Sequence, residues 1–167
     1  MTMNVVSGRL RLGLSAAVAA GAFVLALMPV TAAQAATPVH FSFTNSIFII
    51  DNTSCTFPIT ISGQASIKGT AFFDAQGNFQ NAIIHTDGTS TDSANGITLT
   101  ENDHFEDFIN SAGYDKETGT PIHIQDGGLV IRDAGYILFN PDGSVAFIHG
   151  PHPQLEGDTA ALCAALS

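Results

Sequence analysis

The chain has 167 residues, of which 45% are hydrophobic, and it carries a formal net charge of −10 at pH 7. The chain contains fifteen Asp and Glu residues but only five Lys and Arg residues. Such an acidic chain repels phosphate backbones, which excludes nucleic acid as a partner, and its length suits a single domain.

The first 35 residues are predicted to be a secretory signal peptide. Arg9 and Arg11 form a basic start, residues 12–30 are mostly apolar, and Ala33-Gln34-Ala35 fits the small-x-small cleavage rule. An uncleaved membrane anchor is the alternative, because the apolar run could nearly span a bilayer. The cleavage motif favours removal. We therefore expect a single mature domain of residues 36–167, secreted outside the cell or into the cell envelope, with no permanent membrane anchor.

The two cysteines, Cys55 and Cys163, lie near the two ends of this domain. An even pair in an exported chain usually bridges, so we predict a Cys55–Cys163 disulfide. A reactive thiol or a metal ligand is the alternative. Neither cysteine has a His or a second Cys at metal-ligand spacing, which favours the disulfide.

Alternating apolar and polar residues predict the strands of the first half of the domain. These strands cover residues 39–51, 57–73, 78–86 and 97–110. Gly63 and Gly69 are predicted to mark bulges or bends. Residues 87–96, which are rich in Gly, Ser and Thr, are predicted to form a loop.

The second half is predicted to contain a turn-rich connection, a short strand and a hairpin. The connection covers residues 111–121, the short strand 122–125, a turn 126–128, and residues 129–133 lead into a hairpin over 135–150. Asn140-Pro141-Asp142-Gly143 has the residues of a hairpin turn. Both faces of this hairpin are apolar. One carries Tyr136, Leu138, Val145, Phe147 and His149, and the other carries Ile137, Phe139, Ala146 and Ile148.

The last ten residues predict a helix of two to three turns with Asp158 as its N-cap. Leu162 and Leu166 lie one turn apart beside Cys163. We expect this helix to cover the second apolar face of the hairpin. A second subunit on that face is the alternative, which would make the protein an oligomer.

Seven or eight short strands with Gly-marked turns predict an all-β fold. We expect an antiparallel β-barrel, lipocalin-like or allene-oxide-cyclase-like in size, with a short C-terminal helix. Closure accounts for strands with two apolar faces better than an open sheet does. A β-sandwich is the alternative fold.

Three segments resemble a group of small secreted actinobacterial proteins of unknown function. They are Cys55-Thr56-Phe57-Pro58, the hairpin of residues 135–150, and the terminal run from Gly157-Asp158 to Leu162-Cys163. The resemblance covers the mature chain loosely. It implies a β-rich secreted domain with two cysteines, and it implies no activity.

Two polar clusters are candidate sites. His149 and His152, joined by His123 and Asp126, could ligate zinc if the Gly-Pro turn folds the first two together; an ordinary surface loop is the alternative.

The second cluster is Glu101, Asp103 and His104 on a predicted strand, with Asp107 further along. If this strand faces inward, its carboxylates could perform acid–base chemistry or bind calcium through oxygen ligands. A solvated face is the alternative.

The chain contains no Gly-x-Ser-x-Gly elbow and no phosphate-binding Gly loop, which favours a non-enzymatic protein. We expect it to bind a small apolar molecule, or an envelope or extracellular partner, without a cofactor. A small barrel enzyme, acting as a cyclase, isomerase or metal-assisted hydrolase, is the first alternative. A structural or interaction domain with a filled core is the second.

Overall fold

The computed structural model describes residues 37–167, so the predicted signal peptide of residues 1–35 lies outside the described residues. The described part is all-β apart from one short helix, which confirms the predicted fold class. Within residues 37–167, no helix is long and apolar enough to cross a membrane.

Seven antiparallel strands form one sheet, and their order in the sheet is their order in the chain. The strands are β1 (Val39–Asp51), β2 (Ile59–Phe73), β3 (Phe79–Ala94), β4 (Ile97–Asn110), β5 (Asp115–Asp126), β6 (Leu129–Phe139) and β7 (Val145–His149). In the described residues β1 does not pair with β7, so the sheet is open and the predicted barrel is not confirmed. All strands belong to one sheet, which does not match the two sheets of a sandwich.

The open sheet curls around an interior. Ile59 of β2, Leu99 of β4 and Ile131 of β6 lie in one core cluster, although other strands separate them in the ladder. Side chains alternate between the two faces, so the odd-numbered residues of β4 and the even-numbered residues of β3 are the more buried ones. This parity decides which polar side chains reach the interior.

Gly63 and Gly69 allow neighbouring strands to lie close together. The register of β2 with β3 runs unbroken through both positions, so the bulges predicted there are wrong. A Cβ atom at Gly63 would overlap the carbonyl oxygen of Thr89, and a Cβ atom at Gly69 would overlap the ring of Phe41. Glycine is therefore needed at these positions because a larger side chain would not fit.

Strand β3 continues to Ala94, so the loop predicted over residues 87–96 is wrong. Its buried side carries small or polar residues, including Gly88, Ser90 and Asp92, and these hide the usual hydropathy alternation. The chain turns only at Asn95-Gly96, whose φ angles are 51° and 80°. Two consecutive positive φ angles are what a two-residue type I′ hairpin requires.

Strand β5 replaces most of the connection predicted over residues 111–121 and absorbs the short strand predicted over 122–125. The ladder between β5 and β6 shifts register between Gly119 and Ile122. Pro121 lies inside this irregularity, where its missing N–H group does not interrupt a regular ladder.

The C-terminal helix, α1 (Ala160–Ala165), is shorter than predicted. Its N-cap is Thr159, so the expected Asp158 cap is wrong. Leu162 and Leu166 are fully buried in the core cluster that contains Ile59 and Ile131. The helix therefore covers one end of the interior and not the outer face of the hairpin.

The disulfide between Cys55 and Cys163 is formed, which confirms the predicted bridge. The two Cα atoms are 5.6 Å apart and the cysteines are separated by 108 positions in the chain. The bond ties α1 to the segment after β1. A structural disulfide of this kind is typical of oxidising compartments.

The two strands β6 and β7 form the predicted hairpin, with one face inside and one outside. On the outer face the ring of Tyr136 lies 5.6 Å from the ring of Phe147 and 5.4 Å from that of His149. On the inner face Ile137 is buried against Leu155, which follows β7. The outer face stays exposed in the described structure.

We expect Gly135→Ala to lower the free energy of unfolding by about 2 kcal/mol. Gly135 has a φ of 135°, and an added Cβ atom would overlap the backbone oxygen of His149 on β7. Urea unfolding of the purified variant measures the loss.

Gly143→Ala is the matched control, because Gly143 also has a positive φ, 78°, but no atom lies within 4 Å of the added Cβ. Equal losses in the two variants would show that backbone strain alone, and not the close approach of β7, requires glycine at position 135.

Candidate functional site

A partly open cavity of about 140 Å³ lies in the interior between β1 and β2 on one side and β3 to β5 on the other. The wall from β1 and β2 is apolar except for Asn45. It consists mainly of Ile47, Ile49, Ile61, Ala65 and Ile67. The opposite wall carries four carboxyl groups, on Glu101, Asp103, Asp107 and Glu117. The cavity is therefore apolar on one side and acidic on the other.

Strand parity directs these carboxyl groups inward. Glu101, Asp103 and Asp107 occupy odd positions of β4, and Asp115 and Glu117 occupy alternate positions of β5. The ladder places Asp107 directly opposite Glu117. Side chains that oppose each other in antiparallel strands have Cβ atoms about 5 Å apart, so the two carboxyl groups are close neighbours.

Glu117 is the least accessible of these acids, with 1% of its surface exposed. Within residues 37–167, neither of its carboxyl oxygens has a hydrogen-bond partner. The same holds for both oxygens of Asp115 and for Oδ1 of Asp107. Buried polar atoms normally find partners, so the oxygens of these three acids are placed to accept hydrogen bonds from a bound water or ligand.

Burial and mutual repulsion keep these acids protonated at higher pH than usual. Burial, followed by the charges of Asp115, Glu117 and Glu106, raises the pKa of Asp107 to about 9. Burial, followed by the charges of Asp115, Asp103 and Asp133, raises the pKa of Glu117 to about 8. Burial raises the pKa of Asp115 to about 6. At neutral pH the site therefore holds both neutral and ionised carboxyl groups.

Among the described residues, no Lys or Arg side chain lies in the interior to neutralise the charge of these acids. Lys68, Lys116 and Arg132 are all exposed. Lys116 lies instead over the outer face of Tyr136, with its Nζ atom 5.0 Å from the ring centre.

Smaller polar residues of β3 complete the acidic wall. The hydroxyl of Ser90 donates a hydrogen bond to Oε2 of Glu101 over 3.3 Å. Gly88 leaves room for the neighbouring acid, since a Cβ atom there would lie 3.1 Å from Oδ2 of Asp103.

The predicted acid–base cluster is only partly assembled. Glu101 and Asp103 line the cavity, but His104 projects from the opposite face of β4 and is exposed. Its Nδ1 lies 2.5 Å from Oδ1 of Asp87, also on the outer surface. The structure therefore separates His104 from the two carboxyl groups with which it was grouped.

The predicted zinc cluster is dispersed. His149 stacks on Tyr136 at the outer surface and Asp126 is exposed at the end of β5. His123 is half-buried and pairs in the ladder with the exposed Arg132. In residues 37–167, no group of three or more His, Cys, Asp or Glu side chains is placed to hold a metal ion.

His152 is buried beneath the hairpin, with 1% of its surface exposed. Neither ring nitrogen has a hydrogen-bond partner within the described part of the chain. It lies near Asp133, whose carboxylate accepts hydrogen bonds of 3.0 Å from the backbone N–H groups of Gln154 and Leu155. Asp133 therefore fastens the segment after β7 to the sheet.

Asp115 and Glu117 are site residues that the sequence did not indicate, because the residues around them predict a turn-rich connection. One indication was available. Asp115, Glu117 and Gly119 alternate with Lys116 and Thr118, which is strand periodicity with acids on one side.

No protein-family model, curated protein or solved structure matches this chain, so its function is inferred from the geometry of the site alone.

Proposed function

We propose that this protein is a secreted, non-enzymatic binding protein that holds one small molecule in its interior cavity. The cavity between the isoleucine wall and the acidic wall carries this proposal, because it favours a binding protein over a structural domain with a filled core. In this view the curled sheet serves as a small barrel, closed at one end by α1. The signal peptide expected from the sequence and the Cys55–Cys163 disulfide support export.

The volume of the cavity limits the ligand. A cavity of about 150 Å³ lined by apolar side chains accommodates benzene, and this one has about 140 Å³. The bound part of the ligand is therefore about the size of one six-membered ring. Ligands of this size reach dissociation constants of roughly 10 µM to 1 mM.

We expect one-ring compounds to bind wild-type protein and to lose at least about tenfold in affinity in the variant Ala65→Leu. Ala65 is buried in the apolar wall, so a larger side chain fills the space the ligand needs. Ligand-observed NMR with a small set of neutral and charged one-ring compounds gives the dissociation constants.

Ala146→Leu is the control, because Ala146 is exposed on β7 and does not line the cavity. Binding that is equal in wild type and Ala65→Leu would place the ligand elsewhere and contradict the proposal. Absence of binding by the whole set would also contradict it.

A second candidate function is acid catalysis by a cyclase or isomerase. Because burial and neighbouring charges raise the pKa values of Asp107 and Glu117 to about 9 and about 8, these residues can act as proton donors at neutral pH. An alkene or carbonyl substrate on the isoleucine wall would receive the proton. Turnover of a bound compound that stops in Glu117→Gln while binding persists would identify an enzyme instead of a binding protein.

A further inference from the structure

We propose that the ligand of the cavity is a small organic cation: a one-ring amine whose protonated nitrogen lies between the carboxyl groups of Asp107 and Glu117. This inference rests on the proposed function and names the class of its ligand. The apolar body of the amine lies on the isoleucine wall of β1 and β2.

The unmet oxygens of the acidic wall carry this inference. Glu117 lines the cavity and has only 1% of its surface exposed to solvent. Among residues 37–167, neither of its carboxyl oxygens has a hydrogen-bond partner. Asp107 opposes it across the ladder, lines the same cavity, and has one such oxygen. Carboxylates are pure acceptors and an ammonium group is a pure donor with three N–H bonds, so the two groups are complementary.

The remaining charges of the region all favour a cation. Glu101 and Asp103 of β4 also line the cavity, and Glu106 lies on the outer side of the same strand. The charges of Asp115 on β5 and Asp133 on β6 raise the pKa of Glu117. The cavity-lining residues of β1, β2 and β3 carry no titratable side chain. No histidine is among the residues that line the cavity, and the buried imidazole of His152 acts on Asp133 of β6.

An organic cation satisfies both walls of the cavity, whereas a bare metal ion satisfies one. Calcium takes six to eight oxygen ligands arranged around it. Here the wall from β1 and β2 offers only one side-chain oxygen, that of Asn45, beside alanine and isoleucine side chains, and in the described residues no metal-holding group of three side chains is present. A ring on the isoleucine wall and an ammonium on the acidic wall match the apolar and the acidic parts of the lining.

Binding of the amine releases a proton. At neutral pH the pair holds at least one neutral carboxyl group, because burial and neighbouring charges raise the pKa of both acids. An ammonium ion favours the ionised form, so the carboxyl O–H bond breaks, the proton passes to the buffer, and the carboxylate accepts N–H bonds from the amine. The amine remains protonated throughout.

Isothermal titration of benzylamine against benzyl alcohol, its neutral isostere, tests the inference. We expect the amine to bind at least about 30-fold more tightly at pH 8, and its affinity to rise about 3- to 10-fold per pH unit between pH 6 and pH 8. Titration in two buffers of different ionisation enthalpy should show release of up to about one proton per amine, and none for the alcohol.

Two charge-removing variants locate the ammonium site. Glu117→Gln and Asp107→Asn keep the shape of each side chain, so both should fold, and each should weaken benzylamine at least about tenfold while leaving benzyl alcohol unchanged. Glu106→Gln is the matched control, because Glu106 is adjacent to Asp107 but exposed on the outer face of β4. We expect its effect on either ligand to be less than about twofold.

The outcomes separate this inference from the proposed function. If alcohol and amine bind equally and Ala65→Leu weakens both, the cavity binds neutral molecules and the amine inference is overturned while the proposed function stands. If neither ligand binds, but other one-ring compounds do, the amine inference is again overturned. Loss of amine binding in Glu106→Gln to the same extent as in Glu117→Gln would move the cation to the outer surface.

Discussion

Removing the Cys55–Cys163 disulfide should lower the free energy of unfolding by about 4–5 kcal/mol. The bond closes a loop whose ends are 108 positions apart, and loops of this length give the largest effect in the chain-entropy account of disulfides. It also holds α1, whose six residues are too few to persist alone in water. Urea unfolding of the double variant Cys55→Ala/Cys163→Ala measures the loss.

A variant with an intact disulfide separates the two contributions. Leu162→Ala removes a fully buried side chain of α1 and should cost about 3 kcal/mol through the cavity that it leaves. A loss of less than about 1 kcal/mol of unfolding free energy in the double cysteine variant would show that the helix stays in place without the bridge. Two contacts would then hold it: the packing of Leu162, and the hydrogen bond of 2.7 Å from the hydroxyl of Thr159 to the backbone oxygen of Ser54.

The strands with clear hydropathy alternation could be predicted from the sequence. The bounds expected for β1 and β4, residues 39–51 and 97–110, are those observed. Most outward positions of both strands are polar, with Phe48, Ile50 and Phe108 as exceptions, and the tight Asn95-Gly96 turn fixes where β4 begins. Period-two alternation is the direct consequence of side chains pointing to opposite faces.

The polar interior explains where sequence reasoning failed. In β3, Ser90 and Asp92 occupy inward positions, and in β5, Asp115 and Glu117 do the same. A hydropathy pattern assigns such residues to solvent, since burying a carboxyl group without a partner is costly. Ser90, Asp115 and Glu117 were therefore placed in loops, whereas Glu101, Asp103 and Asp107 belong to a strand that was predicted correctly.

The position of His104 could have been derived from parity alone. In a regular strand His104 points away from Glu101 and Asp103, whose odd numbers place them on the other face. The curl of the sheet could not be derived in this way. It depends on local irregularities, such as the register shift beside Pro121, and on side chains of β2 and β6 meeting across the interior.

Raising the pH from 6 to 8 should lower the free energy of unfolding by about 5 kcal/mol, and the melting temperature by roughly 15 °C. Burial first, and then neighbouring carboxylates, raise the pKa of Asp107 to about 9 and that of Glu117 to about 8, whereas in the unfolded chain both acids ionise near pH 4. Between these limits the folded protein binds more protons than the unfolded chain, so stability falls as pH rises. Each proton that the folded protein retains contributes about 1.4 kcal/mol per pH unit, and the two acids together retain nearly two protons over most of this range.

The double variant Asp107→Asn/Glu117→Gln should flatten this dependence and be more stable than wild type at pH 8, because it cannot acquire the buried charges. Glu106→Gln should keep most of this pH dependence, since the charge of Glu106 is the weakest of the causes that raise the pKa of Asp107.

Asp51 does not contribute to the change in stability between pH 6 and pH 8. Although burial opposes the shift, hydrogen bonds from Ser54 and Thr53 hold its pKa below the usual range, so its contribution is lost only in strong acid. Wild-type stability that stays constant or rises from pH 6 to pH 8 would mean that the carboxyl groups of the acidic wall ionise as they do in water. The same titration with benzylamine present should recover part of the loss at pH 8, because a cation between the two carboxylates stabilises the ionised folded state.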